Sequence, residues 1–207
     1  MQFVDFFLHL DHHINTIIEH YGTWTYLIVF LIVFCETGLV FTPFLPGDSL
    51  LFVLGAFAAT GSLDLYTLIG LLTLAAISGD NLNYAIGKFL APKIFQQKRI
   101  HFLKQEYLDR TRLFYEKHGP KAVIIGRFFP IIRTFSPFFA GIGAMRYRKF
   151  LLFDIAGGIL WVWGFTLAGY FFGNLPVVKK NFTLVVFAII FISLLPGIIE
   201  YLKHRKK

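Results

Sequence analysis

Cysteine is almost missing from the 207-residue chain: Cys35 is the only one. An intrachain disulfide and a cysteine-based metal site are therefore excluded. Set in an apolar run, Cys35 reads as a small core residue. Charge is scarce as well, with Asp, Glu, Lys and Arg making up 15% against 56% hydrophobic residues. A soluble domain carries about 25% charged residues, so this chain has too little polar surface to clothe a globule of its size. Several apolar stretches approach the roughly 20 residues that span a hydrocarbon core. The solvent for this fold is lipid.

Catalytic signatures are lacking too. The sequence has no phosphate-binding glycine loop, no HExxH and no nucleophile elbow, and all seven histidines lie outside the expected spans. His12 and His13 are adjacent and diverge on a helix, so they are not expected to hold a metal. The sequence calls for no enzyme chemistry, no cofactor and no metal. Positive charge is absent from the first 87 residues, whereas residues 88–121 hold nine Lys and Arg. A nucleic-acid binder would spread such charge over a soluble face. Confined to one loop between spans, it instead predicts a cytoplasmic segment. The N-terminus has no basic region and carries Asp5, Asp11 and Glu19, which argues against a cleavable signal peptide.

What is present has a definite order. Residues 3–20 space Phe3, Phe6, Phe7, Leu10, Ile14, Ile17 and Ile18 helically and predict an interfacial helix. A span over 24–42 follows, interrupted by Glu36. Residues 43–60 are apolar but open with Pro43, Pro46, Gly47 and Asp48, which are not expected to start a regular helix. The run after them is too short to cross, so a re-entrant segment is expected, tolerable only with protein or water around it. A second span is expected over 65–87 and the basic cytoplasmic loop over 88–121. Residues 122–144 repeat the earlier pattern: an apolar segment broken by Pro130 and Pro137 that holds Arg127 and Arg133. Spans over 150–173 and 182–202 complete an all-α polytopic architecture of four full crossings and two opposed re-entrant segments. The order of elements suggests an inverted repeat, although laying Gly55-Ala56 over Gly141-Ile142 matches little else. The basic loop and the basic C-terminal tail put both termini in the cytoplasm.

Chemistry concentrates in Glu36, Asp48, Arg127 and Arg133, each within or beside an apolar segment. One such group at the bilayer centre costs roughly 2.5–3.5 kcal/mol on insertion scales, so four imply mutual pairing or a wet cavity. Long arginines can snorkel, but Glu36 and Asp48 are too short to do so. A carboxylate in apolar surroundings can exchange a proton near neutral pH. Glu36 and Asp48 are thus candidates for proton uptake or for accepting hydrogen bonds from an arginine. The forked guanidinium of arginine suits phosphate oxygens, and Arg127 and Arg133, flanking Pro130, are expected to reach one cavity. A helix end there would add anion affinity. Asp80 reads equally as an arginine partner or as the polar end of a span. Trp24, Trp161 and Trp163 are expected in packing or aromatic belts.

These residues resemble the DedA family, also called the VTT or SNARE-associated-Golgi-type family. The resemblance rests on F-x-E-x-G-x₆-L-P-G-D (Phe34, Glu36, Gly38, Leu45, Pro46, Gly47, Asp48), Gly79-Asp80 and Tyr84-x-x-Gly87. It continues through G-R-F-x-P-x-x-R-x-x-x-P-x-x-A-G from Gly126 to Gly141, then Phe150, Gly157-Gly158 and Trp161. The match covers roughly residues 30–173. It implies a bacterial cytoplasmic-membrane protein with two opposed re-entrant segments that moves a lipid phosphate, undecaprenyl phosphate for carrier recycling, with proton dependence. It places the family's acidic pair on Glu36 and Asp48 and its arginine pair on Arg127 and Arg133, with Asp80, Pro46, Gly47, Pro130 and Pro137 in support. One departure is Asp48, where many members carry the longer Glu. The expected partners are a polyprenyl-phosphate or phospholipid, membrane lipids and protons. The rival functions are a proton or cation antiporter, a phospholipid scramblase, a lipid phosphatase and a non-catalytic scaffold.

Overall fold

The computed structural model describes residues 22–39, 47–96, 127, 130–143 and 145–173, with positions 175, 176, 178, 185, 188 and 189 beyond them. The interfacial helix expected at 3–20, the span at 182–202 and most of the basic loop lie outside the described residues. Within them the chain is helical, in five elements: α1 Trp24–Gly38, α2 Gly47–Ala59, α3 Leu65–Gln96, α4 Pro130–Ile142 and α5 Tyr147–Phe172.

At 1.5 Å per residue, α3 and α5 reach about 48 and 39 Å, enough to cross a bilayer, and both are apolar enough to do so. By the same measure α1, α2 and α4 are about 20 Å long, short of a hydrocarbon core of about 30 Å. Of the thirteen residues of α2, only Phe57 and Ala59 are not buried. A helix apolar on every side and buried on every side is one wrapped by protein.

Local chemistry sets the ends. Gly61, at φ 82°, ends α2: the N–H groups of Gly61 and Ser62 turn back to the carbonyls of Ala58 and Phe57. This double return satisfies carbonyls the helix leaves open and needs the left-handed backbone that glycine adopts freely. Three residues later Asp64 caps α3, accepting from the N–H of Thr67 at 2.8 Å.

Three sequence expectations change here. Gly47 and Asp48 do not break a helix but form the first turn of α2. An acid is favourable at that end because the first N–H groups point toward it. Pro130 likewise begins α4, where its missing N–H costs nothing, and Pro137 is accommodated inside the helix. Pro137 withholds only the N–H that the carbonyl of Arg133 would otherwise receive. Finally, α3 does not stop at Gly87 but continues through Lys88 and Lys93 to Gln96. Lysine is a good helix former, so the first basic residue marks the edge of the apolar layer rather than the end of the helix.

The packing is reciprocal. The short helix α2 lies on α5, and the short helix α4 lies on α3, which also carries α1; α3 and α5 meet between the two groups. Glycines make the seams. A Cβ on Gly55 of α2 would run into the backbone of Thr166 and Tyr170, and one on Gly169 into the carbonyl of Phe52. In the other group a Cβ on Gly141 would run into the backbone of Tyr84 and Lys88, and one on Gly87 into the carbonyl of Phe138. Close backbone approach at small residues is how helices associate where lipid supplies no hydrophobic drive. The two seams match position for position: Phe52 and Gly55 correspond to Phe138 and Gly141, both shifted by 86 residues. Their partners Thr166, Gly169 and Tyr170 correspond to Tyr84, Gly87 and Lys88, all shifted by 82.

Candidate functional site

Among the described residues six charged side chains lie in the interior, all between 0 and 8% exposed: Glu36, Asp48, Asp80, Arg127, Arg133 and Asp154. They form two clusters, each of one arginine between two carboxylates.

In the first, Arg133 from the opening turn of α4 spreads its fork. Its Nη1 donates to Asp48 Oδ1 at 2.7 Å, and its Nη2 donates to Glu36 Oε1. Trp161 of α5 completes the arrangement in two ways. Its indole N–H donates to Asp48 Oδ1 at 2.7 Å, and the Arg133 guanidinium carbon sits 4.4 Å from its ring centroid. Cation–π contact of this kind strengthens when desolvated. Gly47 serves the same cluster, since any Cβ there would overlap the carboxylate of Glu36. The opening turns of α2 and α4 thus supply the two partners of one ion pair, Asp48 and Arg133, and the positive end of the α2 dipole lies beside Asp48.

In the second cluster Arg127, just before α4, donates through Nη2 alone to both Asp80 of α3 and Asp154 of α5. Its Nε and Nη1, together with Asp80 Oδ1 and Asp154 Oδ2, are buried and have no hydrogen-bond partner among the described residues. Gly158, one turn beyond Asp154, lies against the guanidinium: a Cβ there would sit 3.4 Å from Nη1, in van der Waals contact. Asn83 ties the surrounding helices together, donating through Nδ2 to the carbonyls of Thr37 at 3.0 Å and Thr134 at 2.8 Å.

Of the residues singled out by sequence, Glu36, Asp48 and Arg133 converge, with Gly47 beside them. Arg127 does not pair with them. It occupies an adjoining cluster with Asp80, which is thus a buried ion-pair partner rather than the polar end of a span. Pro46 lies outside the described residues. Pro130 and Pro137 act through the backbone of α4. Two contributors were missed. Trp161, expected in packing or a belt, touches both Asp48 and Arg133, whereas Trp24 and Trp163 do face outward. Asp154 was not singled out, although a lone acid in an apolar span is the same signal that marked Glu36.

The VTT domain family matches residues 45–171. Protein DedA of Escherichia coli K12 is 50% identical over 205 residues, covering 98% of this chain and 94% of that protein. The chain belongs to the DedA family. A membrane protein of Mycobacterium leprae is 45% identical, over 82% of this chain and 76% of its own length. The E. coli inner membrane protein YqjA is 37% identical, over 75% and 70%. No solved structure matches the chain. Family membership and the two long apolar helices place this DedA-family chain in a membrane.

Proposed function

We propose that this protein moves a lipid phosphate, of the undecaprenyl phosphate type, across the bacterial cytoplasmic membrane, coupled to protons. The carrying observation is a buried arginine whose hydrogen bonds, among the described residues, go to two carboxylates, one of them in the opening turn of α2. Arg133 and the N-terminal end of α2 suit a phosphate. Glu36 and Asp48 occupy the fork that a phosphate would use. Protonating them removes their charge and loosens their hold, so phosphate and protons load together. Proton and phosphate then travel in the same direction, and an inward proton gradient returns the phosphate carrier to the cytoplasmic face. Arg127 supplies a second cation beside the path. The head group alone enters the site, and the polyprenyl tail stays in lipid.

Architecture supports this reading. Short buried helices, each packed on the long helix from the other half of the sequence, fit two re-entrant segments in an inverted repeat with a midplane site. Both termini lie on the cytoplasmic side in this reading, with the basic loop beside them. No step of it requires catalysis or a cofactor.

One observation favours a second reading. Both arginines are already neutralised by carboxylates, which suits a proton or cation antiporter with no lipid cargo. Liposomes reconstituted with labelled undecaprenyl phosphate, with and without a pH gradient, separate these readings. Gradient-driven flux of the label supports coupled translocation. Equal flux of ordinary phospholipid without a gradient would mean scrambling, and ion flux without lipid movement would mean antiport.

A further inference from the structure

The arginines do something besides neutralise acids. By packing, the described helices fall into two groups, α2 with α5 and α1 with α3 and α4. Inside each group the seams are backbone on backbone. Each arginine takes one carboxylate from each group: Arg133 holds Glu36 of α1 and Asp48 of α2, and Arg127 holds Asp80 of α3 and Asp154 of α5. Both clusters are therefore clasps across the plane on which the groups would move.

Charge counting separates the two. Four carboxylates face two guanidiniums, so each cluster holds one negative charge in excess when every group is ionised. An unbalanced charge at this depth is costly unless something neutralises it. At Arg133 the neutralising species is a proton or the exchanged phosphate. At Arg127 the two carboxylates converge on a single nitrogen, Nη2, and so lie side by side, each with one buried oxygen that has no other partner among the described residues. Two adjacent carboxyl groups with open acceptor oxygens form a ready proton site, because one proton relieves both their repulsion and the excess charge. The charged groups facing Asp80 are Arg127, Asp154 and, more distantly, Arg133; those facing Asp154 are Arg127 and Asp80.

We propose that Asp80 and Asp154, held by Arg127, form a second proton-binding site, distinct from Glu36 and Asp48, that latches the α2–α5 group to the α1–α3–α4 group. The proposal rests on the membrane-transport reading for its purpose but not for its test. Unprotonated, the pair grips Arg127 from both sides and keeps the groups together. With a proton bound, one carboxyl gives up its ionic hold and the groups can part.

Infrared difference spectroscopy on the purified full chain in lipid nanodiscs, stepped between about pH 6 and alkaline buffer so that exposed carboxylates stay ionised throughout, and without any lipid phosphate, tests it. A protonated-carboxyl band should persist in the Glu36→Gln/Asp48→Asn double variant and vanish when Asp80→Asn or Asp154→Asn is added. If the double variant shows no carboxyl band, or if the band survives both further substitutions, the second site does not exist. Should Asp154→Asn fail to fold, Asp154→Glu keeps the charge and should shift the band rather than abolish it; an unmoved band would equally overturn the assignment. A failure of lipid-phosphate transport leaves this experiment untouched, so the two readings fall separately.

Discussion

Replacing Arg133 by lysine keeps the charge and removes the fork, and the geometry gives that change a size. Arg133 reaches Asp48 through Nη1 and Glu36 through Nη2, whereas lysine has one nitrogen to offer. One charge-assisted hydrogen bond is lost, about 1.5–3 kcal/mol. The contact with the Trp161 face weakens as well, by roughly 0.5–2 kcal/mol. A typical domain has about 5–15 kcal/mol in hand, so Arg133→Lys should still accumulate in the membrane while melting at a lower temperature. For a phosphate, the exchange of two parallel bonds for one predicts roughly 10- to 150-fold weaker binding. Binding of undecaprenyl phosphate to purified protein, run beside a thermal melt, measures both. The decisive comparison repeats Arg133→Lys in the Glu36→Gln/Asp48→Asn background, as a double-mutant cycle. If Arg133 serves only to hold its carboxylates, lysine will match arginine once they are neutral. If it also takes the phosphate, the loss will persist. Wild-type affinity in the single variant, or a loss that disappears in the neutral background, would refute the phosphate role.

Other predictions bear on the same architecture. Glu36→Gln and Asp48→Asn keep size but remove titration, so each should abolish gradient-driven flux while protein still reaches the membrane; Glu36→Asp and Asp48→Glu should be milder. Normal flux across the pH range in both neutral variants would remove these residues from proton coupling. Single cysteines at Gln97 or Gln105, in a Cys35→Ala background, should resist membrane-impermeant reagents in intact cells, and ready labelling would invert the orientation. Gly55→Leu and Gly141→Leu each force a side chain into facing backbone and should cost about 1–3 kcal/mol or more, read as a lower melting temperature. Equal tolerance of leucine at both would contradict the seams.

Much of the layout was legible because lipid imposes blunt rules. Long apolar runs marked α3 and α5, and acids within apolar runs marked Glu36 and Asp48. Pairing was not legible. The residues that meet in the two clusters stand 27 to 113 positions apart in sequence, and nothing local says which arginine takes which acid. Asp154 was overlooked in the span that follows Arg146, Arg148 and Lys149, although Phe153 and Ile155 flank it with apolar neighbours. Helix ends were misjudged where the first lysine was taken for a terminus and where proline and glycine were taken as breaks rather than starts. The seams are the sharpest case. Laying Gly55 over Gly141 yields almost no identity, yet both glycines take corresponding places in their seams. The two halves share the places where backbone meets backbone, and a glycine leaves little else for a sequence comparison to match.

Trp161 gives the protein a built-in optical probe. Its indole donates to Asp48 and lies against the Arg133 guanidinium, whereas Trp24 and Trp163 face outward. The chain has three tryptophans in all, so replacing the outer two by phenylalanine leaves one emitter in contact with the ion cluster. Its emission wavelength and quenching would follow the charge beside the indole directly, with no label attached.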